Sequence, residues 1–125
     1  MELPIASSVF SPLFFFKLFG LGRINPANHK PIGDGKPISS GGSKWAFLTT
    51  YNRLPVSMDG YFAQQLDKNL KQAIKSNTGN EFVVIGHPKA CTLYSLKKLE
   101  KFIQTQRTQH TFITFNDLYR SEKNA

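Results

Sequence analysis

The sequence predicts an α/β fold: alternating strand–helix units around a parallel sheet. Three observations carry that expectation. Segments with helical periodicity alternate with short β-branched runs, in the order strand, helix, strand, helix, strand, helix, strand. The run "EFVVIG" at 81–86 is apolar without a break, as in strands covered on both faces. Helical crossovers between successive strands make the pairs parallel and the connections right-handed.

The elements are read in chain order. "ELPIA" at 2–6 is a short strand, and "SPLFFFKLFGLG" after it is a helix that stops near Gly20 and Gly22. Pro12 suits its first turn, where a missing N–H is not needed. Residues 24–43, "INPANHKPIGDGKPISSGGS", have turn composition and no periodicity and form a long loop. "SKWAFLTTYN" is a helix opened by Ser43, and "LPVSM" is a strand. Phe62, Leu66, Leu70 and Ile74 recur at spacing four, with Asp59 as N-cap and the stretch 77–80 around Gly79 as stop, so 60–77 is an amphipathic helix. "EFVVIG" follows as a strand, then a helix whose buried stripe is Leu96, Leu99 and Ile103 with Phe102 beside it. "TFITF" alternates as a strand and "NDLY" turns after it. The chain 1–125 thus divides into strand plus apolar helix (1–23), a long Gly/Pro loop (24–43), β/α units (44–119) and a polar tail (120–125).

At 125 residues and 14.1 kDa this is one domain's worth of chain, and 40% apolar residues with 11 Phe exclude disorder through lack of a core. The single cysteine, Cys91, cannot form an internal disulfide and is read as a small buried apolar side chain; it leaves the compartment open. A net charge of +8 admits nucleic acid, acidic glycan or an anionic surface as partner. The charge is diffuse, however: Lys68, Lys71 and Lys75 lie along one helix and Lys97, Lys98 and Lys101 along another, as on solvated faces, which argues against nucleic acid. "GDGKP" lacks the pattern of a phosphate loop, with Pro37 where a helix N-terminus would offer its amides. The apolar stretch 9–21 is broken by Ser11, Pro12 and Lys17, so no membrane span is expected. Glu2 stands where a signal peptide carries positive charge.

His87 is the principal candidate for chemistry. In a parallel sheet, ligand-facing groups gather beyond the C-terminal ends of strands, and Pro88 stops the ladder so that the imidazole is presented at that rim. Histidine titrates nearest neutrality, which suits general acid or base work; the alternative is a histidine that bonds a neighbouring carbonyl. Lys89 beside it either binds an anion or points to solvent. His29 and Asp34 share the long loop without the spacing of a metal site, and His110 reads as a surface residue.

"VVIGHPKACTLYSLKKLEKFI" followed by "FITFNDL" resembles the closing segment of polysaccharide deacetylases, the NodB-homology carbohydrate esterases, whose large bacterial members carry I-G-H-P-K-x-x-T-x-Y-S-L. "PIGDGKP", "VSMDGYF" and the opening "ELPI" resemble stretches that precede it. The resemblance implies a single partial domain, the C-terminal half of a deformed (β/α) barrel. It also implies metal-dependent removal of acetyl groups from a glycan, with His87 as the acid that protonates the leaving group and Asp59 and Lys89 in the substrate-binding rim. Gly86 replaces the usual leucine and Leu93 the usual proline. The family's metal ligands, an Asp-Asp strand end and an H-x-x-x-H pair, are not in this sequence, whose histidines are His29, His87 and His110. No cofactor is therefore expected in this chain, a divalent metal such as zinc is expected in a full-length relative, and the chain alone should be inactive. A half-barrel would pair with an N-terminal half-domain or self-associate. For a full-length relative, the cell envelope is the expected location. The rival expectation is a non-catalytic basic module that binds acidic glycan or nucleic acid through exposed aromatics such as Trp45 and Tyr61.

Overall fold

The computed structural model describes residues 4–33, 44–77 and 79–124. Helix α1, Pro12–Ile24, starts where Ser11 Oγ accepts from Phe14 N at 3.4 Å and Pro12 takes the first helical position. It runs through Gly20 and Gly22, which face open space, and ends only when Asn25 N–H closes on the Leu21 carbonyl. A single turn, α2 (Pro26–His29), occupies the start of the expected loop. Residues 34–43, which hold Asp34, all of "GDGKP" after Gly33, and Ser43, lie outside the described residues, as do Glu2 and Leu3 of the opening strand.

The ladder is antiparallel. Strand β1, Ser7–Phe10, pairs with β2, Asn52–Pro55, in the register Ser7↔Pro55 to Phe10↔Asn52. This corrects the parallel α/β sheet and the half-barrel expected from the sequence: among the described residues the sheet has two strands and most of the chain is helical. The physical reason lies in the partners. A β-branched run becomes a strand only where a neighbour completes its hydrogen bonds. Residues 81–86 meet both diverging ends of the β1–β2 pair and no more: Ala6 N donates to the Val83 carbonyl, Ile85 N to Val56 and Met58 N to Ile85, which leaves one parallel bridge, Ser57↔Ile85. Residues 111–114 form no strand, and "NDLY" is not a turn but the start of α6, Phe115–Lys123, capped by Thr114 and Asp117.

The other helices are α3 (Lys44–Thr49), α4 (Leu66–Lys75) and α5 (Leu93–Gln106). The helix expected over 60–77 is a 3-10 turn, Gly60–Gln65, that passes into α4; Gly60 sits at φ +51 and Asn77 ends the segment at φ 49. Thr92 and Ser95 form a reciprocal capping box on α5, with bonds of 3.0 and 2.8 Å. Its inward face is Ser95, Leu99 and Phe102, whereas Leu96 and Ile103 are exposed. Among the described residues, two apolar clusters result. Phe10, Phe14, Phe15 and Tyr61 gather α1, α3 and β2 side chains, and Val56, Ala63, Leu66, Leu70 and Phe102 join α4 to α5. The 3-10 turn contributes Tyr61 to the first and Ala63 to the second, so it is the joint between them.

Candidate functional site

His87 and Asp59 stand 28 residues apart in sequence and meet by two bonds. The backbone brings them there. Met58 N bonds the Ile85 carbonyl at 3.0 Å, and Ser57 Oγ accepts from Asp59 N at 3.0 Å, which aims the Asp59 carboxylate at the turn that follows residue 86. His87 is extended (φ −117, ψ 111) and leads into a short 3-10 turn, Pro88–Ala90. Asp59 Oδ1 accepts from His87 N at 2.7 Å, and Oδ2 lies 2.6 Å from Nδ1. The His87 and Asp59 side chains are 37% and 16% exposed, so the ring meets solvent while the carboxylate is largely shielded.

A carboxylate can only accept, so Nδ1 carries the proton and the outer ring nitrogen, Nε2, is the one left for proton exchange. Asp59 was expected to cap the following helix; its side chain makes no capping bond, because both oxygens are committed to His87. Behind them Cys91, buried, donates from Sγ to the His87 carbonyl at 3.6 Å. Burial and then the Asp59 charge push the Cys91 thiol up from its usual value, against a lowering by Ser95. Its part is that of a neutral packing group.

Lys89 is half-buried in the turn, and its carbonyl accepts from Gly33 N at 3.2 Å while the Cys91 carbonyl accepts from Ile32 N at 2.8 Å. These bonds pin Ile32 and Gly33 against the His87 turn, and a Cβ on Gly33 would fall 2.6 Å from Lys89 Cα. Gly86 also faces a tight contact: a Cβ there would sit 2.7 Å from Cγ and Sδ of Met58.

The other histidines lie elsewhere. His29 packs on Tyr94 at 4.6 Å between ring centroids, Tyr94 stacks on Tyr61 at 5.8 Å, and Lys98 Nζ lies 5.4 Å over Tyr94. His110 lines a cavity of about 800 Å³ whose lining includes neither His87 nor Asp59. Trp45 is 73% exposed, whereas Tyr61, expected on the surface, is 8% exposed and belongs to the aromatic core. The described residues contain no group of three His, Cys, Asp or Glu that could hold a metal ion. No described helix is long and apolar enough to cross a membrane.

Sequence reasoning missed the bond between His87 and Asp59. Twenty-eight residues is beyond any local spacing rule; the available signal was that "VSMDGYF" and "IGHPK" both resemble parts of one rim. Comparison of the chain with protein-family models, curated proteins and solved structures gives no match.

Proposed function

We propose that this chain is the C-terminal portion of a polysaccharide-deacetylase-like protein, with His87 as the proton donor to the leaving group and Asp59 as the residue that orients it. The observation that carries the reading is the pair of hydrogen bonds between Asp59 and His87, which joins two of the segments resembling that family. With Nδ1–H held on Asp59, the proton on Nε2 is the one delivered to the departing amine or hydroxyl, and the Asp59 charge stabilises the imidazolium that precedes delivery. The acetyl group passes to water, and the groups that hold and activate that water come from outside this chain. The glycan is therefore the substrate of a larger assembly, and this portion is inactive by itself.

The first test is acetate release. The purified chain should release none from acetylated chitooligosaccharides or acetylxylan, with or without added zinc. The reading frame upstream of Met1 should encode an Asp-Asp strand end and H-x-x-x-H, and the longer protein should release acetate with a rate that falls about 10²–10⁴-fold in His87→Ala. An upstream frame with neither motif, or a His87→Ala protein of undiminished rate, would sink the reading.

A further inference from the structure

Helix α1 is apolar on both of its faces. Phe14 and Phe15 are buried in the aromatic cluster and Leu18 packs against it, yet Leu13, Phe16 and Ile24 are each more than half exposed. At about 100° per residue the outward side carries, in order around the helix, Arg23, Phe16, Gly20, Leu13, Ile24 and Lys17, all within an arc of about 120°. The apolar residues hold the middle of that arc and the two cations its edges. Among the described residues nothing covers the middle: a Cβ on Gly20 would meet no atom within 4 Å. Lys17 and Arg23 are exposed and make no ion pair among the described residues. Lys44 Nζ lies 5.7 Å from the ring of Phe19, one turn before Arg23, and adds a third cation at that edge.

A helix apolar all round needs an apolar medium on its outer side as well as its inner one. Charge decides which. Residues 3–33 and 35–58 contain no Asp or Glu, and six of the eight acidic residues lie at 59 or beyond, so α1, α3 and both strands carry cations alone. Two copies paired through this face would set their cations against one another. An anionic bilayer offers both complements at once, negative headgroups for the edges and acyl chains for the middle. The 13 residues of α1 reach about 20 Å, too short to cross a bilayer, which leaves a helix lying in the interface. We propose that the outward face of α1 seats this chain on the surface of an anionic lipid bilayer, with Leu13, Phe16 and Ile24 among the acyl chains and Lys17, Arg23 and Lys44 on the headgroups. The inference does not rest on the catalytic reading.

The test is flotation of the full chain with unilamellar vesicles, of phosphatidylcholine alone or of phosphatidylcholine and phosphatidylglycerol at two to one. Binding should need the anionic lipid, weaken as salt is raised, and fall at least tenfold when Phe16→Glu and Ile24→Glu are combined. Both side chains are exposed, so that variant should keep the circular dichroism of the parent. Lys17→Gln with Arg23→Gln should also bind at least tenfold more weakly. Lys97→Gln with Lys101→Gln removes the same charge from exposed positions on α5 and should lose less than threefold. Gly20→Leu, which adds an apolar side chain in open space, should bind at least threefold more tightly. The inference is overturned if the chain ignores anionic vesicles, binds phosphatidylcholine equally well, loses as much binding through α5 as through α1, or gains nothing from Gly20→Leu. It is overturned as well if light scattering shows copies already paired and the Phe16→Glu, Ile24→Glu variant separates them.

Discussion

Removing the His87 imidazole takes one of two partners from the Asp59 carboxylate and leaves the backbone N–H of residue 87 on Oδ1. His87→Ala should therefore cost about 1 kcal/mol, the scale of a single net hydrogen bond. Asp59→Ala breaks both bonds and leaves a part-buried N–H unpaired, so the loss should be larger, about 1–3 kcal/mol. Urea melts of the two proteins check the order; equal losses would mean that the carboxylate contributes nothing beyond the ring contact. Cys91 gives a second residue-scale expectation. Its thiol is raised by burial and the Asp59 charge, so the folded state favours the neutral form. That stability is fully present below the ordinary thiol value and is lost as pH rises through the raised one. At pH 8 the thiol should react with a disulfide reagent far more slowly in the native chain than in urea. Native and unfolded chains that react at the same rate would show that Cys91 is not shielded. The burial of Cys91 was legible from its isolation in an apolar context; its bond to the His87 carbonyl was not, because it depends on the turn that Pro88 imposes.

At the scale of elements, helices with a cap and a stop were legible, and strands were not. Ser11 and Pro12 begin α1 as their chemistry dictates, and Asn77 ends the segment containing α4 in the left-handed conformation expected of that stretch. Helix α5 lies at its expected place, and of the expected stripe of Leu96, Leu99 and Ile103 with Phe102 beside it, Leu99 and Phe102 pack inward, whereas Leu96 and Ile103 are exposed and Ser95 is buried instead. The capping box explains the difference: Ser95 must lie against Thr92, and burying that pair brings Phe102 onto Leu66 and Leu70. The runs "EFVVIG" and "TFITF" misled because β-branched composition reports fitness for a sheet and says nothing of whether a neighbouring strand exists. Gly86 offers a test of local packing. Gly86→Leu should cost about 1–3 kcal/mol through the clash with Met58, and Met58→Ala in the same chain should recover part of it. A double variant no better than the single one would show that backbone, not Met58, closes the space. At α6, bonds from the Thr114 hydroxyl and backbone N–H hold the Asp117 carboxyl below the usual carboxylate range. A depressed value gives the folded cap its advantage above the ordinary carboxylate pKa and removes it as pH falls through the lowered one. Chemical shifts of 115–123 should thus report fraying on acidification below about pH 4, and Thr114→Ala should abolish that dependence.

At the scale of the whole molecule, two clusters share one joint. The aromatic cluster gathers around Phe15 and the aliphatic one around Leu66, and between them the chain passes through the Gly60–Gln65 turn, with Tyr61 on one side and Ala63 on the other. Tyr94 of α5 also packs on Tyr61, so the helix that seats Phe102 in the second cluster touches the first. These shared elements argue that the clusters melt together. Trp45 in α3 lies on the helix that brings Phe47 onto Phe15, so its fluorescence reports the first cluster, while the far-ultraviolet signal is dominated by helices from both. Phe15→Ala should cost about 3–5 kcal/mol and Leu66→Ala about 2–5 kcal/mol, since both side chains are fully buried. Each variant should shift the fluorescence and helical transitions to the same lower midpoint. If Phe15→Ala moved the Trp45 transition alone and left helical signal standing at its original midpoint, the joint would not couple the two clusters, and each would have to be treated as a separate folding unit.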